Sequence, residues 1–357
     1  MNKESVAFGY RTRTLRFRWG SGRVGVRLLT VSAVLFLTAV VLATVSLTYG
    51  DYPLTLQQVF ATLTGGEQGF ERTIVVKWRL PIAIAAVVFG ALLGIGGAIF
   101  QSLTRNPLGS PDVIGFDSGS FTAVVLAIIV VGTNSYWWLA FAAIAGGLVT
   151  AFAVYVLSYR RGIQGFRMII IGIAVSAMLV SVNHYLISRA EIKDAMTVGL
   201  WKAGTISRVT WPPMIPALAV AALIVVAAAL LAPAMRRLEL GDDAAVTLGT
   251  RSGPVRLGLI VAGVSTVAVV TAAAGPISFI ALAAPQLARR LTRSAGESLL
   301  ASAGMGAALL AGAHLLSLYI AQLYRPVPVG LITVCLGGGY MIWLLLREAR
   351  QRYGLVR

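Results

Sequence analysis

The sequence predicts an all-α polytopic membrane protein of about ten transmembrane helices, and three observations carry that prediction. Of 357 residues, 57% are hydrophobic and only 12% are charged, far from the make-up of a soluble domain. Apolar runs of about twenty residues, the length that crosses a bilayer as a helix, recur along the whole chain. The short alternating segments of a β-barrel do not occur.

The first element is a basic head, residues 1–27, carrying Arg11, Arg13, Arg16, Arg18, Arg23 and Arg27. The apolar run 28–48 behind it is longer than a signal-peptide core. It reads as a retained first span that leaves the N-terminus cytoplasmic. Residues 49–80 are polar and turn-rich, with an amphipathic patch at PLTLQQVFATL. Further spans fall at 81–101, 113–132, 137–158, 168–188 and 213–233. After a wet loop at 236–256 come 257–275, 277–290, 299–320 and 329–346. Residues 28–357 thus form a single ten-helix domain. Within it, GALLGIGGAIF (90–100) is small enough to let helices approach closely.

Charge tests the count. Ten crossings from a cytoplasmic N-terminus put 22 of the 30 Lys and Arg inside and 8 outside, the bias of an oriented membrane protein. This clustering between apolar runs also accounts for the net charge of +17 without a nucleic-acid partner; membrane lipid is the partner it implies. The ambiguous region is 257–288, whose 32 residues are long for one helix and short for two. Gly275-Pro276 breaks it. Two spans, the second short, fit the charges best, with a re-entrant hairpin at 277–290 as the alternative. Leu103-Thr104-Arg105 recurs as Leu291-Thr292-Arg293, each closing an outside-to-inside span. Three residues alone do not establish a repeat, although transporters are often built from duplicated halves.

The residues exclude several chemistries. No G-x-x-x-x-G-K-[ST] loop, H-E-x-x-H or C-x-x-C motif occurs, and the single Cys335 lies in an apolar run, so neither ATP cradling nor a cysteine metal site is expected. No bound cofactor and no metal site is expected. No paired carboxylates stand within a span, and no intramembrane acid is found of the kind an ion-coupled carrier uses. A membrane enzyme with a divalent metal would need clustered acids, and Asp242-Asp243 is the only adjacent pair. Candidate pathway residues are Asn183 and His184, polar groups near the outer end of a span, and Gln286; at membrane depth such groups face protein or a water-filled path. A histidine satisfied by a neighbouring helix is the plainer reading of His184, and more so of His314. Outside, Lys77, Arg79 and Arg325 stand before spans where positive charge is sparse. They suit an acidic partner, an anionic ligand or lipid headgroups.

The loop RRLELGDDAAVTLGTRSGPVR (236–256) is the one sizeable wet stretch between the two sets of spans. Asp242 and Asp243 suit a helix's first turn and Gly249 its C-terminal end, so 242–248 is expected to be a short helix. Arg236, Arg237, Arg251 and Arg256 would hold it at the inner surface. A short helix fixed between two bundles is shaped to fit a groove in another protein.

At this point the motifs resemble a known family. WRLP (78–81), GALLGIGGAIFQ (90–101), RNPLGSPDVIGFDSGS (105–120), LGDDAAVTLG (240–249), GPISFIALAAPQLARRL (275–291) and PVGLITVCLGGGYMIWLLL (328–346) run in the order of the FecCD/BtuC-type permeases. These are the membrane subunits of bacterial ABC importers for iron-siderophores, haem and vitamin B12. FIALAAPQLARRL looks most like the second permease of ferric enterobactin-type systems. The resemblance implies the BtuC-like type II ABC importer permease fold. It also implies transport of a ferric siderophore, most like the catecholate class, across the bacterial cytoplasmic membrane, with both termini cytoplasmic. ATP would be used by a separate ATPase dimer, and an extracytoplasmic siderophore-binding protein would dock outside.

The family's coupling helix maps onto Leu240, Gly241, Asp242, Asp243, Ala244, Ala245, Leu248 and Gly249, and an outer docking arginine onto Arg79. The chain departs from the family at Gln286, where many members carry histidine after the proline. That difference marks a subfamily and favours a heterodimer with a related permease over an identical one. The region before the last span, SLYIAQLYRPVPVG, lacks the usual acid, and Arg325 stands displaced from the usual arginine. A stand-alone ion-coupled secondary transporter, or a haem or cobalamin permease of the same family, remains the rival reading.

Overall fold

A computed structural model describes residues 12–17, 20–66, 69–112, 114–133, 135–158 and 165–354. Ahead of the first span, β1 (Thr12–Phe17) and β2 (Gly20–Gly25) pair antiparallel, with Thr12 opposite Gly25. This hairpin was not expected from the basic head. Of the basic head, Arg11 and Arg18 lie outside the described residues.

Ten helices stand where ten spans were expected. They are α1 (Val26–Ser46), α4 (Leu80–Thr104), α5 (Phe116–Ile129), α6 (Tyr136–Ser158), α7 (Gly165–Arg189), α9 (Trp211–Glu239), α11 (Ser252–Ala274), α12 (Ile280–Thr292), α13 (Leu299–Leu323) and α14 (Val329–Gly354). Among the described residues, seven helical stretches are long and apolar enough to cross a membrane unaided. Connections at one end of the bundle, here called outer, carry α2 (Leu56–Leu63), α3 (Phe70–Arg72) and α8 (Ile192–Lys202), and α10 (Asp242–Thr247) lies in the central loop at the opposite end, called inner. A capping box between Thr55 and Gln58 starts α2. From α3 the chain passes through a π-helical turn, Thr73–Arg79, directly into α4, so this span begins about ten residues earlier than its apolar run.

The core is built on α4. Its glycines leave no room for side chains. A Cβ at Gly90 or Gly94 would overlap the backbone of Gly306 or Ser302 on α13, and one at Gly97 would overlap the Ala281 carbonyl on α12. Small residues let the backbones touch, as membrane helices without a hydrophobic driving force require. Phe89, Leu92, Leu93, Ile99 and Phe100 fill the remaining space around α4.

Two crossings are broken. After α4 the chain does not turn back at the membrane surface. Residues 106–112 lead inward, Ile114 and Gly115 pack on Gly172 and Ser176, near the midpoint of α7, and only there does the 14-residue α5 begin. The ambiguous region 257–288 resolves in the same way. α11 ends at Ala274, whose carbonyl accepts from Thr205 N–H of the outer loop. Residues 275–279 are non-helical, with Phe279 in the left-handed conformation (φ 70°), and α12 starts beside Gly97, in the inner third of α4. Thirteen residues of helix cover only about 20 Å, against about 30 Å of hydrocarbon. The non-helical residues supply the rest, carrying the chain from Thr205 at one end to Arg27 at the other, so 277–290 belongs to a full crossing and is not a hairpin. The inner end of α12 meets the start of α1, where Arg27 donates to the Leu291 carbonyl.

The repeated Leu-Thr-Arg has a structural counterpart. Arg105 and Arg293 both close their helices in the left-handed conformation, φ 50° and 54°. Thr104 and Thr292 both bond back to the carbonyl four residues earlier.

Candidate functional site

The inner face is organised by α10. Gly241 (φ 112°) turns the chain out of α9, and Gly249 (φ 77°) turns it out of α10. Both conformations are open to glycine at little cost. Gly249 and Thr250 N–H groups bond back to Val246 and Ala245 carbonyls, which closes the helix at the expected glycine. Ala245 is fully buried, whereas Leu240, Val246 and Leu248 are 68%, 58% and 54% exposed. Three exposed aliphatics in one short loop form an apolar patch. Val246, which is not among the expected coupling residues, is exposed as Leu240 and Leu248 are.

The two acids of this helix are not equivalent. One Asp242 carboxylate oxygen accepts from Arg105, at 2.9 Å, and from Arg256. Arg105, the C-cap of α4, also donates to the Leu238 carbonyl. Asp242 therefore locks α10 to α4 and α11, though its side chain stays half-exposed; Asp243 is the more exposed acid. The expectation that Arg256 anchors the loop on the membrane surface is corrected for the same reason. It is 8% exposed and turned onto Asp242. Arg237 reaches Thr250 Oγ1, while Arg236 and Arg251 stay exposed.

In the outer half of the membrane, α5, α7 and α14 enclose a cavity of about 270 Å³ lined by Asp117, Asn183, His184, Lys202, Ser278 and Gly330, among others. Asn183 is 2% exposed, and both its amide atoms lack a partner among the described residues. His184 is exposed beside it. With Ala177, Ser181 and Ser188 it makes an exposed stripe of small and polar residues along α7, unsuited to lipid and suited to water. Lys202 stands over the Phe121 ring at 5.5 Å.

Asp117 overturns the expectation of no acid at membrane depth. It is 9% exposed; one oxygen accepts from Thr271 at 3.2 Å and the other has no partner among the described residues. Its signal was present, for it lies inside the span predicted at 113–132. Nearby, Asp112 accepts from Phe279 N–H just ahead of α12. Gln286 does not reach this cavity. Its amide donates to the Pro107 carbonyl at 2.6 Å and accepts from the Tyr340 hydroxyl, tying α12 to the climbing loop and to α14.

On the outer face Lys77 and Arg325 are exposed. Arg325 stacks on Tyr324, which is 81% exposed. Arg79 is committed internally. Its guanidinium donates to the carbonyls of Leu47 (2.8 Å) and Tyr52 (2.6 Å) and fills the space beside Gly50, clasping the turn after α1. His314 also departs from expectation. It is 4% exposed, its Nδ1 has no partner among the described residues, and it lines an outer pocket with Tyr49, Trp78 and Arg79. Among the described residues no group of three His, Cys, Asp or Glu is placed to hold a metal ion.

With the geometry in hand, known proteins bear on the reading. A family model described as the FecCD transport family matches residues 36–347. The ferric enterobactin transport system permease protein FepG of Escherichia coli (strain K12) is 44% identical over 329 residues, covering 91% of this chain and 98% of that protein. The iron(3+)-hydroxamate import system permease protein FhuG of Bacillus subtilis (strain 168) is 31% identical, covering 89% and 97%. Among solved structures, an inward-facing conformation of a metal-chelate type ABC transporter has a TM-score of 0.75 at 24% identity. It covers 89% of this chain and 99% of that one, a likeness that bears on the fold.

Proposed function

This chain belongs to the FecCD transport family, and from that premise we propose that it is the permease subunit of an ATP-driven importer for ferric siderophores of the catecholate type. It would work as a multi-pass protein of a bacterial cytoplasmic membrane, with both termini cytoplasmic. A related permease would face it across the path, and an ATPase dimer would hydrolyse the ATP. No cofactor is bound by this chain in that reading.

The observation that carries the mechanism is the double tether of α10. The exposed Leu240, Val246 and Leu248 offer a partner an apolar grip, while Asp242 joins the same helix to α4 through Arg105 and to α11 through Arg256. A nucleotide can shift the permease only by binding one state better than the other. Closure of the ATPase around α10 would supply that difference, and the tether would pass it to two helices of the core. Ala177, Ser181, Asn183 and His184 of α7 then form this chain's wall of the path, with Asp117 and Lys202. Gln286 leaves that list for a structural one. Lys77 and Arg325 are the outer cations free to meet acids of a binding protein, and Arg79 supports the surface that presents them.

The test is reconstitution in proteoliposomes with a second permease, the ATPase inside and a siderophore-binding protein outside. Uptake of radiolabelled iron as a catecholate complex should require ATP and the binding protein. Uptake by this chain alone on a proton or sodium gradient would overturn the reading. Preference for hydroxamate or citrate complexes would overturn only its catecholate part.

A further inference from the structure

We propose that the groove between α1 and α9 is a binding site for a phospholipid whose headgroup carries a primary ammonium, of the phosphatidylethanolamine class. The groove encloses about 750 Å³ and is almost wholly apolar. Its floor is the Val88–Ile95 face of α4. On α9 the wall is cut back to alanine at Ala221, Ala222, Ala228, Ala229 and Ala232. Between Leu218 and Arg236, both lining residues, α9 rises about 27 Å, nearly the depth of the hydrocarbon core. Such a channel, open along its length and set among exposed lipid-facing residues such as Val34, Leu37, Leu223 and Leu230, is a place for acyl chains.

The inner mouth specifies the headgroup. Of the residues that line the groove itself, one is a cation, the exposed Arg236, and one is an acid, Glu297. Glu297 is 8% exposed. Its Oε1 accepts from Arg289 at 3.1 Å, while Oε2 is buried with no partner among the described residues. Glu239 lies alongside, its carboxylate against Gly296 and within 3.4 Å of Glu297 N–H. Two neighbouring carboxylates with one buried oxygen unmatched call for a donor bearing positive charge. Burial and Glu239 both push the Glu297 carboxyl above its ordinary range, against the pull of Arg289. A phosphoethanolamine headgroup has the two matching charges a few bonds apart. Its phosphate meets Arg236, its ammonium donates to Glu297 Oε2, and its chains enter the apolar groove above. A choline headgroup has no N–H to donate, and a glycerol headgroup has no cation.

The full-length chain should be purified in detergent and exchanged with equal amounts of phosphatidylethanolamine, phosphatidylcholine and phosphatidylglycerol, and retained lipid read by native mass spectrometry. The wild type should hold phosphatidylethanolamine over phosphatidylcholine by about tenfold, the ratio one charge-assisted hydrogen bond supports. Glu297→Gln, which keeps an acceptor for Arg289, should bring the two lipids level. Arg236→Gln should weaken retention of all three. Ala229→Phe, which fills the groove without touching the mouth, should abolish retention, so the result does not depend on Glu297→Gln folding. Equal retention by the wild type, best retention of phosphatidylglycerol, or an Ala229→Phe protein that keeps its lipid would each overturn the proposal.

Discussion

Replacing Asp242 by alanine tests whether α10 is held by the permease or only by its partner. The carboxylate oxygen lost in that variant receives two guanidinium groups. Arg105 and Asp242 are 47% and 46% exposed at their side chains, so water screens their pair and it contributes about 0.5 kcal/mol. Arg256 is 9% exposed at its side chain, and a charge-assisted hydrogen bond there contributes about 1.5–3 kcal/mol. Together the tether is worth about 2–3.5 kcal/mol, which lowers the docked population of α10 by about 30- to 300-fold. Amide hydrogen exchange over residues 240–250, measured on the assembled complex, should speed up by that order. ATP hydrolysis stimulated by the binding protein should fall with it. Asp242→Asn, which keeps an acceptor without charge, should fall between. Asp243→Ala should leave exchange unchanged, since that acid is exposed, and act only on affinity for the ATPase. If the Asp242 and Asp243 variants exchange alike, the tether argument is wrong.

Two further predictions concern the outer clasp and the inner mouth. Arg79→Ala leaves the Leu47 and Tyr52 carbonyls without their donor and should cost about 1–3 kcal/mol, seen as faster exchange and proteolysis at residues 47–55. Lys77→Glu should leave that segment intact and slow association with an acidic binding protein in a salt-dependent way. At the mouth, Glu297 has a carboxyl pKa above its ordinary 4.5, first because it is buried. As pH rises, the unfolded chain ionises this group before the folded one does, so folded stability falls from the unfolded value upward. Measured in phosphatidylcholine, the thermal midpoint of the wild type relative to Glu297→Gln should drop as pH rises through and above the ordinary value of 4.5. A flat difference would show that the burial of Glu297 carries no such cost.

The predicted spans and the central helix were legible because each depends on neighbours in sequence. Apolar length, Gly-Pro at 275–276 and an acid pair followed by Gly249 are local signals, and the structure bears them out at α12 and α10. The roles of individual polar residues were not legible, for a physical reason. In a membrane interior a polar side chain is satisfied by whatever donor or acceptor comes within reach. Here those partners are often backbone carbonyls, which leave no mark in the sequence. Arg79 is spent on Leu47 and Tyr52, and Gln286 on Pro107 179 residues away. Asp242 and Asp243 look interchangeable until Arg105, 137 residues upstream, is brought beside one of them.

Asp117 is the instructive exception, because it stood in plain view within a predicted span. Its meaning depended on the preceding loop. Had residues 106–115 turned at the inner surface, Asp117 would be an ordinary first-turn acid near water. Because the loop climbs to the middle of α7 before α5 begins, the same acid is buried between Thr271 and the cavity. The broken helices that made the crossings hard to count therefore also deliver polar groups to the middle of the membrane. A helix that starts inside the bundle brings its first-turn residues there with it: α5 carries Asp117 in its own first turn, and α12, which has no acid there, is met at its start by Asp112 of the climbing loop.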